Sequence, residues 1–293
     1  MLEHSAKAAL QIRGNLYADC EKCFALCCIA LYFSTIEGFP VNKEAGQPCP
    51  NLQPDFRCKV HQGLSELGLR GCLTFDCFGA GQSVSQTTFS GKDWRLFPEI
   101  AEQIFEAFHV QRQIHELLWY LTDALALTTH GLLHDDLQEL LLNTAILAQL
   151  EYMSLMKIDV AAVRAKVNSL LLQASANERA KNYPDANITK EKNRKFGQRL
   201  DFMGRDLRTK QLRGANLRGA CLIAANLSGV DLSGTDLIGA DFRDTDIRGT
   251  NLAKSIFLTQ AQINAAKGDE TTKLPVNLLR PAHWQNTNNE NFR

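Results

Sequence analysis

Residues 201–260 read, in steps of five, DFMGR DLRTK QLRGA NLRGA CLIAA NLSGV DLSGT DLIGA DFRDT DIRGT NLAKS IFLTQ. A large apolar residue holds the second position of every step, from Phe202 through Leu232 to Phe257. A period of five matches neither the α-helical period of 3.6 nor the β-strand period of 2. The spacing predicts a solenoid, in which each unit buries its apolar residue only by stacking on its neighbours.

Small residues such as Ala215 and Thr235 often lie two places before the apolar one, and Asn or Asp often precedes it directly. Four faces of five residues make a coil of about twenty, so the stretch holds about three coils. The run resembles the pentapeptide-repeat family, whose units read A(N/D)LXX, and the segment that follows it through Trp284 is similar to that family as well. This resemblance implies a right-handed, four-sided β-helix.

The rest of the sequence differs from the repeats in composition and period. We therefore predict a multidomain α + β protein that ends in a short right-handed quadrilateral β-helix. Its predicted parts are a Cys-rich metal module (1–92), a helical bundle (93–182), a basic linker (183–200), the β-helix (201–260) and a C-terminal cap and tail (261–293).

Composition limits the classes of partner and compartment. The chain is 45% hydrophobic and 22% charged with a formal net charge of zero, which gives no global attraction to nucleic acid or membrane. The start lacks a basic segment followed by an apolar core, so we expect no signal peptide. The most apolar run, Cys23 to Phe33, is shorter than the roughly twenty residues that span a bilayer. A cytoplasmic protein without membrane segments is expected.

Eight of the nine cysteines lie between Cys20 and Cys77. In a reducing compartment such clustering favours metal or redox chemistry over disulfides. Two thiolates separated by two residues can bind one tetrahedral ion, and a second pair from a distant segment completes its coordination. The predicted metal ligands are Cys20, Cys23, Cys27, Cys28, Cys49, Cys58, His61, Cys72 and Cys77.

This segment resembles the CxxCxxCC family of zinc- or iron-chelating domains. Here three residues, not two, separate Cys23 from the adjacent pair Cys27 and Cys28, so which member of the pair is a ligand stays open. Zinc is the predicted ion, with iron or an iron–sulfur cluster as the alternative. Structural reduced cysteines and redox-active thiols are the other interpretations. The sequence FGAGQ at 78–82 is interpreted as a loop that closes the module.

Between Asp93 and Asn182, apolar residues recur at three- and four-residue steps, which predicts three helices in an antiparallel bundle. Pro98 fits the first turn of the first helix. Asp135 or Asp136 is expected to cap the second helix and Asp159 the third. His130 and His134 are expected in a polar loop, and His109 and His115 on the surface or in the core.

The repeats carry seven acidic residues against about eight basic ones, whereas an imitation of DNA needs dense charge of one sign. DNA mimicry, which some pentapeptide-repeat proteins use against topoisomerases, is therefore disfavoured. The leading hypothesis is a non-catalytic scaffold that binds a protein partner through the β-helix, in antibiotic or toxin resistance. The alternative is a metal- or Fe–S-dependent enzyme or redox protein. A homodimer through the C-terminal region is a further expectation.

Overall fold

The chain divides into two compact units, in a computed structural model that describes residues 2–37, 39, 41–184 and 200–286. The first unit comprises 1–71 and 76–174, and the second comprises 72–75 and 175–293. The predicted boundary at 92/93 lies inside the first unit. Most of the predicted basic linker falls on 185–199, outside the described residues.

Helices dominate the chain between residues 2 and 182. In chain order they are α1 (Leu2–Asn15), α2 (Leu26–Ala30), α3 (Arg70–Leu73), α4 (Ala80–Gln82), α5 (Ala101–Leu127), α6 (Leu132–Leu147), α7 (Tyr152–Leu155) and α8 (Val160–Asn182). A π-helical turn, Ser83–Thr88, continues α4, and short 3₁₀ turns cover Cys20–Lys22, Thr35–Glu37, His61–Gly63 and Pro98–Ile100. No helix in the described part of the chain is both long and apolar enough to cross a membrane.

Helix α5 is the centre of the predicted bundle. Its inward residues recur at helical spacing, and Ile104, Phe108, Ile114 and Leu121 are each at most 1% exposed. It packs against α1, α2, α4, α6 and α7, and Arg164 of α8 pairs with Glu116 of α5 at 3.2 Å. Apolar periodicity therefore places the bundle correctly.

The helix starts predicted from the sequence agree with the structure only in part. Pro98 lies in the 3₁₀ turn that leads into α5, and the Asp159 carboxylate accepts the Ala162 amide at the start of α8, as predicted. The prediction for α6 is wrong. It begins at Leu132 after Gly131, whose φ of +96° suits glycine, so Asp135 already lies inside the first turn. The prediction of a loop at 78–82 is wrong as well, because Ala80–Gln82 is helical.

His115 is a hydrogen-bonded core residue. Its Nδ1 donates to the carbonyl of Phe78 at 2.7 Å, which leaves Nε2 to accept from the Gln111 amide at 3.2 Å. Burial lowers the pKa of His115 to about 4, so the ring is neutral near pH 7. It joins the α4 region to α5 and has no place among the candidate metal ligands.

The second unit contains the predicted coils. Seven parallel bridges join residues that are twenty apart, from Asp201–Cys221 to Asp236–Ile256. The Leu222 amide donates to the carbonyl of Asp241 at 3.0 Å, and the Asp241 amide donates to Ala220 at 2.9 Å. In the described residues these contacts are single bridges rather than continuous strands. The pairing fits a coil of four five-residue faces, and the handedness stays a prediction.

A tight turn closes each corner of the coil. The Arg205 amide donates to the Phe202 carbonyl at 3.0 Å, and Gly204 between them has a φ of +65°. Glycine recurs at this place in the step because a type II turn requires a positive φ at its third residue. The Asp201 carboxylate accepts the Met203 amide at 3.0 Å, and Asn or Asp makes the same contact along the coils.

Threonines in the small-residue position bond to the neighbouring coil. Thr235, Thr245 and Thr250 are fully buried, and their hydroxyls donate to carbonyls of the preceding coil at 2.7–2.8 Å. Each hydroxyl therefore satisfies a backbone acceptor inside the solenoid. This position therefore takes a small side chain because little space is available, and threonine there adds a hydrogen bond between coils.

The pairing continues beyond residue 260. Helix α9 (Gln260–Ala265) begins with a capping box between Thr259 and Gln262, and the bridges Asp246–Lys267 and Asn251–Lys273 follow it. Trp284 is 2% exposed, donates from Nε1 to the Ala266 carbonyl at 3.0 Å and packs on Gly268. The segment that follows the coils is therefore packed against their last turn.

We expect Leu252→Asp to unfold the coils of the second unit at a much lower temperature than the wild type. The Leu252 side chain is fully buried, and a carboxylate there has no partner, which costs several kcal/mol, at least about 3. Ala253→Asp, next to it and exposed, is the matched control and should leave the melting temperature nearly unchanged. Equal shifts for the two variants in circular dichroism melts would contradict the assignment of inward positions.

We also expect the pH dependence of first-unit stability to change in His115→Gln. Between pH 6.5 and about 4 the unfolded chain protonates His115 while the folded unit does not, so this residue costs stability as pH falls, up to about 3 kcal/mol. Burial raises the pKa of Asp123 to about 6, so its protonation adds stability as pH falls from 6 toward 4. His115→Gln should retain only the Asp123 response and gain stability relative to wild type over this range. Parallel pH profiles in urea unfolding would exclude this role.

Candidate metal centre

Short irregular turns position the cysteines of the first unit. The Asp19 carboxylate accepts the Glu21 amide at 3.1 Å and caps the 3₁₀ turn that carries Cys20. Cys27 and Cys28 lie in α2, which follows the left-handed residue Ala25, with a φ of +55°. Cys58 forms an antiparallel bridge with Leu52. The thiols are thus carried by loops and single turns rather than by a long helix.

Side chains of residues 82–94 hold the loop at 17–24 in place by hydrogen bonds to the backbone of that loop. The side-chain amide of Gln82 donates to the Tyr17 carbonyl at 2.8 Å, and the Phe24 amide donates to Ser85 Oγ at 3.1 Å. Trp94 Nε1 donates to the Phe24 carbonyl at 2.8 Å. These contacts fix the Cys20–Cys23 turn against the helices.

Gly81 brings the sulfur of Cys23 close to the backbone of α4. A Cβ on Gly81 would lie 2.6 Å from the Cys23 Sγ, which is closer than a side chain tolerates. Glycine is therefore required for Cys23 to reach its place beside α4.

Backbone amides near four of the sulfurs oppose the rise of their pKa values: those of Ala25 and Leu26 near Cys23, Asn51 near Cys49, Val60 near Cys58, and Gly79 and Gly81 near Cys77. The Asn51 amide lies 3.5 Å from the Cys49 Sγ. Such donors stabilise a thiolate over a thiol and orient it, as outer contacts of metal sites do.

Cys23, Cys27 and Cys77 form a first thiol group. Burial, with a contribution from the neighbouring Cys77 and Cys20, raises the pKa of Cys23 to about 12. Burial likewise raises the pKa of Cys77, with Asp76 and Cys20 adding to it. Cys23 and Cys77 also act on Cys27, so these three side chains lie within electrostatic range of one another.

Cys28, Cys49 and Cys58 form a second thiol group. Burial raises the pKa of Cys58, and its thiol neighbours are Cys28 and Cys49. The pKa of Cys49 is also raised, again first by burial, with Cys28 as the thiol neighbour. Cys20, whose pKa burial raises, has Cys28 and Cys58 as neighbours here, in addition to its place beside the first thiol group.

Cys27 and Cys28 connect the two groups. Their Sγ atoms lie 3.9 Å apart. The hydrogen bond between them, followed by the positive charge of Lys43, lowers the pKa of Cys28, while that bond and burial raise the pKa of Cys27. Cys28 is therefore the first of the pair to ionise.

Lys43 is a buried cation at the edge of the second thiol group. It is 6% exposed, and its ammonium donates to the carbonyls of Leu31, Gln47 and Glu44 at 2.6, 2.8 and 3.0 Å and to Ile29 at 3.3 Å. Burial lowers the pKa of Lys43, and the neighbouring Cys49 and Cys28 oppose that shift. The ammonium thus ties the 29–47 loop together while it favours thiolates nearby.

Seven of the nine predicted ligands are electrostatic neighbours of one another in this way, and metal binding by the predicted set stays a prediction. His61 is exposed, and no described side-chain contact joins it to a thiol. Cys72 belongs to the 72–75 segment of the second unit. Cys221, never predicted as a ligand, is also in that unit. Across the described residues no three Cys, His, Asp or Glu side chains already converge as a closed metal site, and none of the nine cysteines forms a disulfide.

Comparison with known proteins identifies the family to which the chain belongs. The family model for pentapeptide repeats matches in eight copies, over residues 206–229, 211–249 and 225–257. The "Uncharacterized protein YybG" of Bacillus subtilis (strain 168) is 50% identical over 275 residues, which cover 94% of this chain and 96% of that protein. The chain belongs to the family of YybG. Its second unit carries pentapeptide repeats, and the resemblance noted in the sequence is confirmed for them. No solved structure matches the chain.

Two residues of the candidate centre escaped the sequence reasoning. Lys43 has no distinguishing motif, because its cage consists of backbone carbonyls from both sides of the loop. Gly81 had a signal, a glycine four residues after Cys77, but the sequence does not show that Cys23 packs on it.

We expect Lys43→Met to loosen the 29–47 loop. Methionine keeps the apolar stem but leaves the buried carbonyls without a donor, at a cost of about 1–3 kcal/mol. Hydrogen–deuterium exchange at the Gly46 and Cys49 amides, which bond to Ile29 and Cys28 across the loop, should accelerate markedly. The exposed Lys59→Met serves as control and should exchange like the wild type. Unchanged protection in Lys43→Met would contradict the cage.

Proposed function

We propose that the chain is a non-catalytic binding protein whose first unit is held by a structural zinc site. The observation that supports it is the gathering of seven thiols from four separate segments around the Cys20–Cys28 turns. Thiolates are preferred zinc ligands, and the Asn51 amide, 3.5 Å from the Cys49 Sγ, suits a bound thiolate. The chemistry of the donors therefore suits the ion, while among the described residues no three such side chains converge as a metal site.

A shortage of core supports the same proposal. From residue 31 to 75, the described buried hydrophobic side chains are Phe33, Leu64 and Leu69. Ordering a residue costs about 1–2 kcal/mol in backbone entropy, and three apolar side chains offset little of that over such a length. Small segments of this kind are usually held by disulfides or metal ions, and disulfides are not formed here. Zinc bound by Cys49 and Cys58 would supply the missing cross-links.

The repeats are proposed as the surface that binds a protein partner. Asp206, Asp241 and Asp246 each bond to the arginine two residues later, at 2.6–2.7 Å. Asp236 is fully buried and pairs with Arg218 at 3.0 Å. Because these carboxylates are already paired with cations, the surface lacks the dense negative charge of DNA. This supports a protein partner and disfavours DNA mimicry.

The biological setting is proposed on narrower grounds. Nine reduced cysteines suit the cytoplasm. A role in resistance to, or self-protection from, an antibiotic or toxin is proposed by analogy with other pentapeptide-repeat proteins, and for this chain the comparison shows the repeats alone. Exposed Val276 and Leu279 near the C-terminus are available to a second copy of the chain, and the homodimer stays a prediction.

A redox protein is the second candidate, and the Cys27–Cys28 pair favours it. The sulfurs lie 3.9 Å apart and Cys28 has a lowered pKa, so a thiolate is available for thiol–disulfide exchange. In that case the first unit would act as an enzyme or electron carrier, and the repeats would only position it.

Elemental analysis of full-length protein purified under reducing conditions decides between these functions. We expect zinc without visible absorption, and we expect chelation to increase hydrogen exchange across residues 20–77, because binding free energy at such sites is folding free energy. Cys221→Ser should keep its zinc. A brown protein with iron and acid-labile sulfide, or metal-free protein with the same exchange pattern and a Cys27–Cys28 disulfide under mild oxidation, would support the redox function and refute the structural zinc site.

A further inference from the structure

Cys27 and Cys28 are adjacent residues of α2 whose sulfurs are in contact. Their Sγ atoms lie 3.9 Å apart, and both residues are partly exposed, so a small reagent can reach them. Across the described residues no three Cys, His, Asp or Glu side chains converge on one point. The arrangement that the structure already contains is therefore a pair of reduced thiols in contact with each other.

A disulfide between these two residues is not compatible with the helical backbone of α2. The sulfurs must approach each other by about 2 Å, from 3.9 Å to the length of an S–S bond. Adjacent Cα atoms are about 3.8 Å apart across a trans peptide, less than the roughly 4.4–6.8 Å that disulfides usually span. The backbone angles at the pair must therefore change. Because α2 has only five residues, Leu26–Ala30, a change at its second and third residues leaves no intact turn.

Residues 43–49 depend on the backbone of α2. The Cys49 amide donates to the Cys28 carbonyl at 3.0 Å, and the Gly46 amide donates to the Ile29 carbonyl at 2.8 Å. The Lys43 ammonium donates to the Ile29 carbonyl at 3.3 Å, while every other residue of 43–49 is exposed or half-buried. Both acceptors lie at the pair or directly after it, so a change in the backbone there turns them away from their donors.

We propose that Cys27 and Cys28 are an oxidation site, at which a peroxide converts the two thiols into a disulfide that unwinds α2 and releases residues 43–49. The proposed modification acts once per chain and is reversed by a dithiol reductant. It is therefore a switch in the fold of the first unit, and it needs none of the turnover of the redox enzyme considered above.

The reaction takes place in two steps. With hydrogen peroxide, the sulfur of one thiol attacks a peroxide oxygen, the O–O bond breaks, and water leaves to give a sulfenic acid. The sulfur of the neighbouring thiol then attacks the sulfenic sulfur, so that the S–S bond forms, the S–O bond breaks and a second water leaves. The pair loses two protons and two electrons, which the peroxide takes up as it is reduced to two waters.

This inference adds to the proposed function and does not depend on it. In a protein with a structural zinc ion, the disulfide removes two thiolates from the predicted ligand set, so oxidation also releases zinc. In a metal-free protein the same disulfide forms and residues 43–49 respond alone. Zinc content therefore reports on the metal site, and the exchange of amides in 43–49 reports on the switch.

Peptide mapping of reduced full-length protein after treatment with hydrogen peroxide tests the site. We expect Cys27 and Cys28 to escape alkylation together, on a peptide that is lighter than the reduced form by two hydrogens. Trypsin leaves Cys23 on the same peptide, so fragmentation must locate the bond. Cys27→Ser should be unable to form it, and Cys221→Ser, in the second unit, is the matched control and should still do so.

Hydrogen–deuterium exchange tests the structural consequence. Oxidised and reduced wild type are compared in the presence of a chelator, so that loss of zinc contributes equally to both rates. The Gly46 and Cys49 amides should exchange at least about tenfold faster in the oxidised protein, and a dithiol should restore the slower rate. Amides of α5 should not change. Peroxide-treated Cys27→Ser should keep the slower rate, and the comparison within the wild type holds even where that variant fails to fold.

The outcomes separate the switch from the zinc site. A disulfide from either residue to another cysteine, sulfinic acid at the pair, or a Cys27–Cys28 disulfide with unchanged exchange at Gly46 and Cys49 would overturn the switch. The structural zinc site stands in each of these cases if the reduced protein carries zinc. Reduced protein without metal that forms the disulfide and then exchanges faster would overturn the zinc site and leave the switch in place.

Discussion

The backbone register between coils is the constraint on which the second unit depends. Apart from the turn amides, which bond within their own coil, the amides of the coils bond to a neighbouring coil, as Leu222 does to Asp241 nineteen places later. Buried backbone groups must be paired, so one coil alone is not a stable structure. The fully buried Leu232 and Leu252, twenty residues apart, can stack only if that register holds. Apolar burial and backbone pairing therefore enforce each other.

The five-residue period could be predicted from the sequence because it repeats. Two structural features that maintain it, the glycines of the turns and the threonine hydroxyls, were not recognised from the sequence. The apolar column and the coil length follow from the spacing of Phe202 to Phe257. Glycine at the third position of the turn, as at Gly204, recurs in seven of the twelve steps and is a further signal for positive φ. The threonine hydroxyls were missed for a different reason, since their acceptors lie 23–25 residues away in sequence.

In the first unit, local patterns were informative only where the structure is local. Apolar spacing located α5, and Asp159 was identified as a cap because its acceptor role involves a residue three places away. Helix α6 follows Gly131 without a side-chain cap, and the helical residues Ala80–Gln82 of FGAGQ follow the left-handed Phe78 and Gly79. The spacing of the cysteines singled out the seven thiols that are electrostatic neighbours in the first unit. Spacing alone does not show which way a loop turns, so it could not place His61 beside the thiols or away from them.

The two units differ in which amino-acid positions tolerate substitution. In the coils, outward positions such as Arg208 and Arg243 are exposed and contribute mainly to ion pairs at the surface, which are worth at most about 1 kcal/mol. These positions can therefore vary in sequence while the inward column holds the shape. Around the thiols no such separation exists, because Gly81, Lys43 and the amides of the loops shape the site and also hold the fold together. We therefore expect partner specificity to lie on the coils, where a substitution changes the surface without changing what stabilises it.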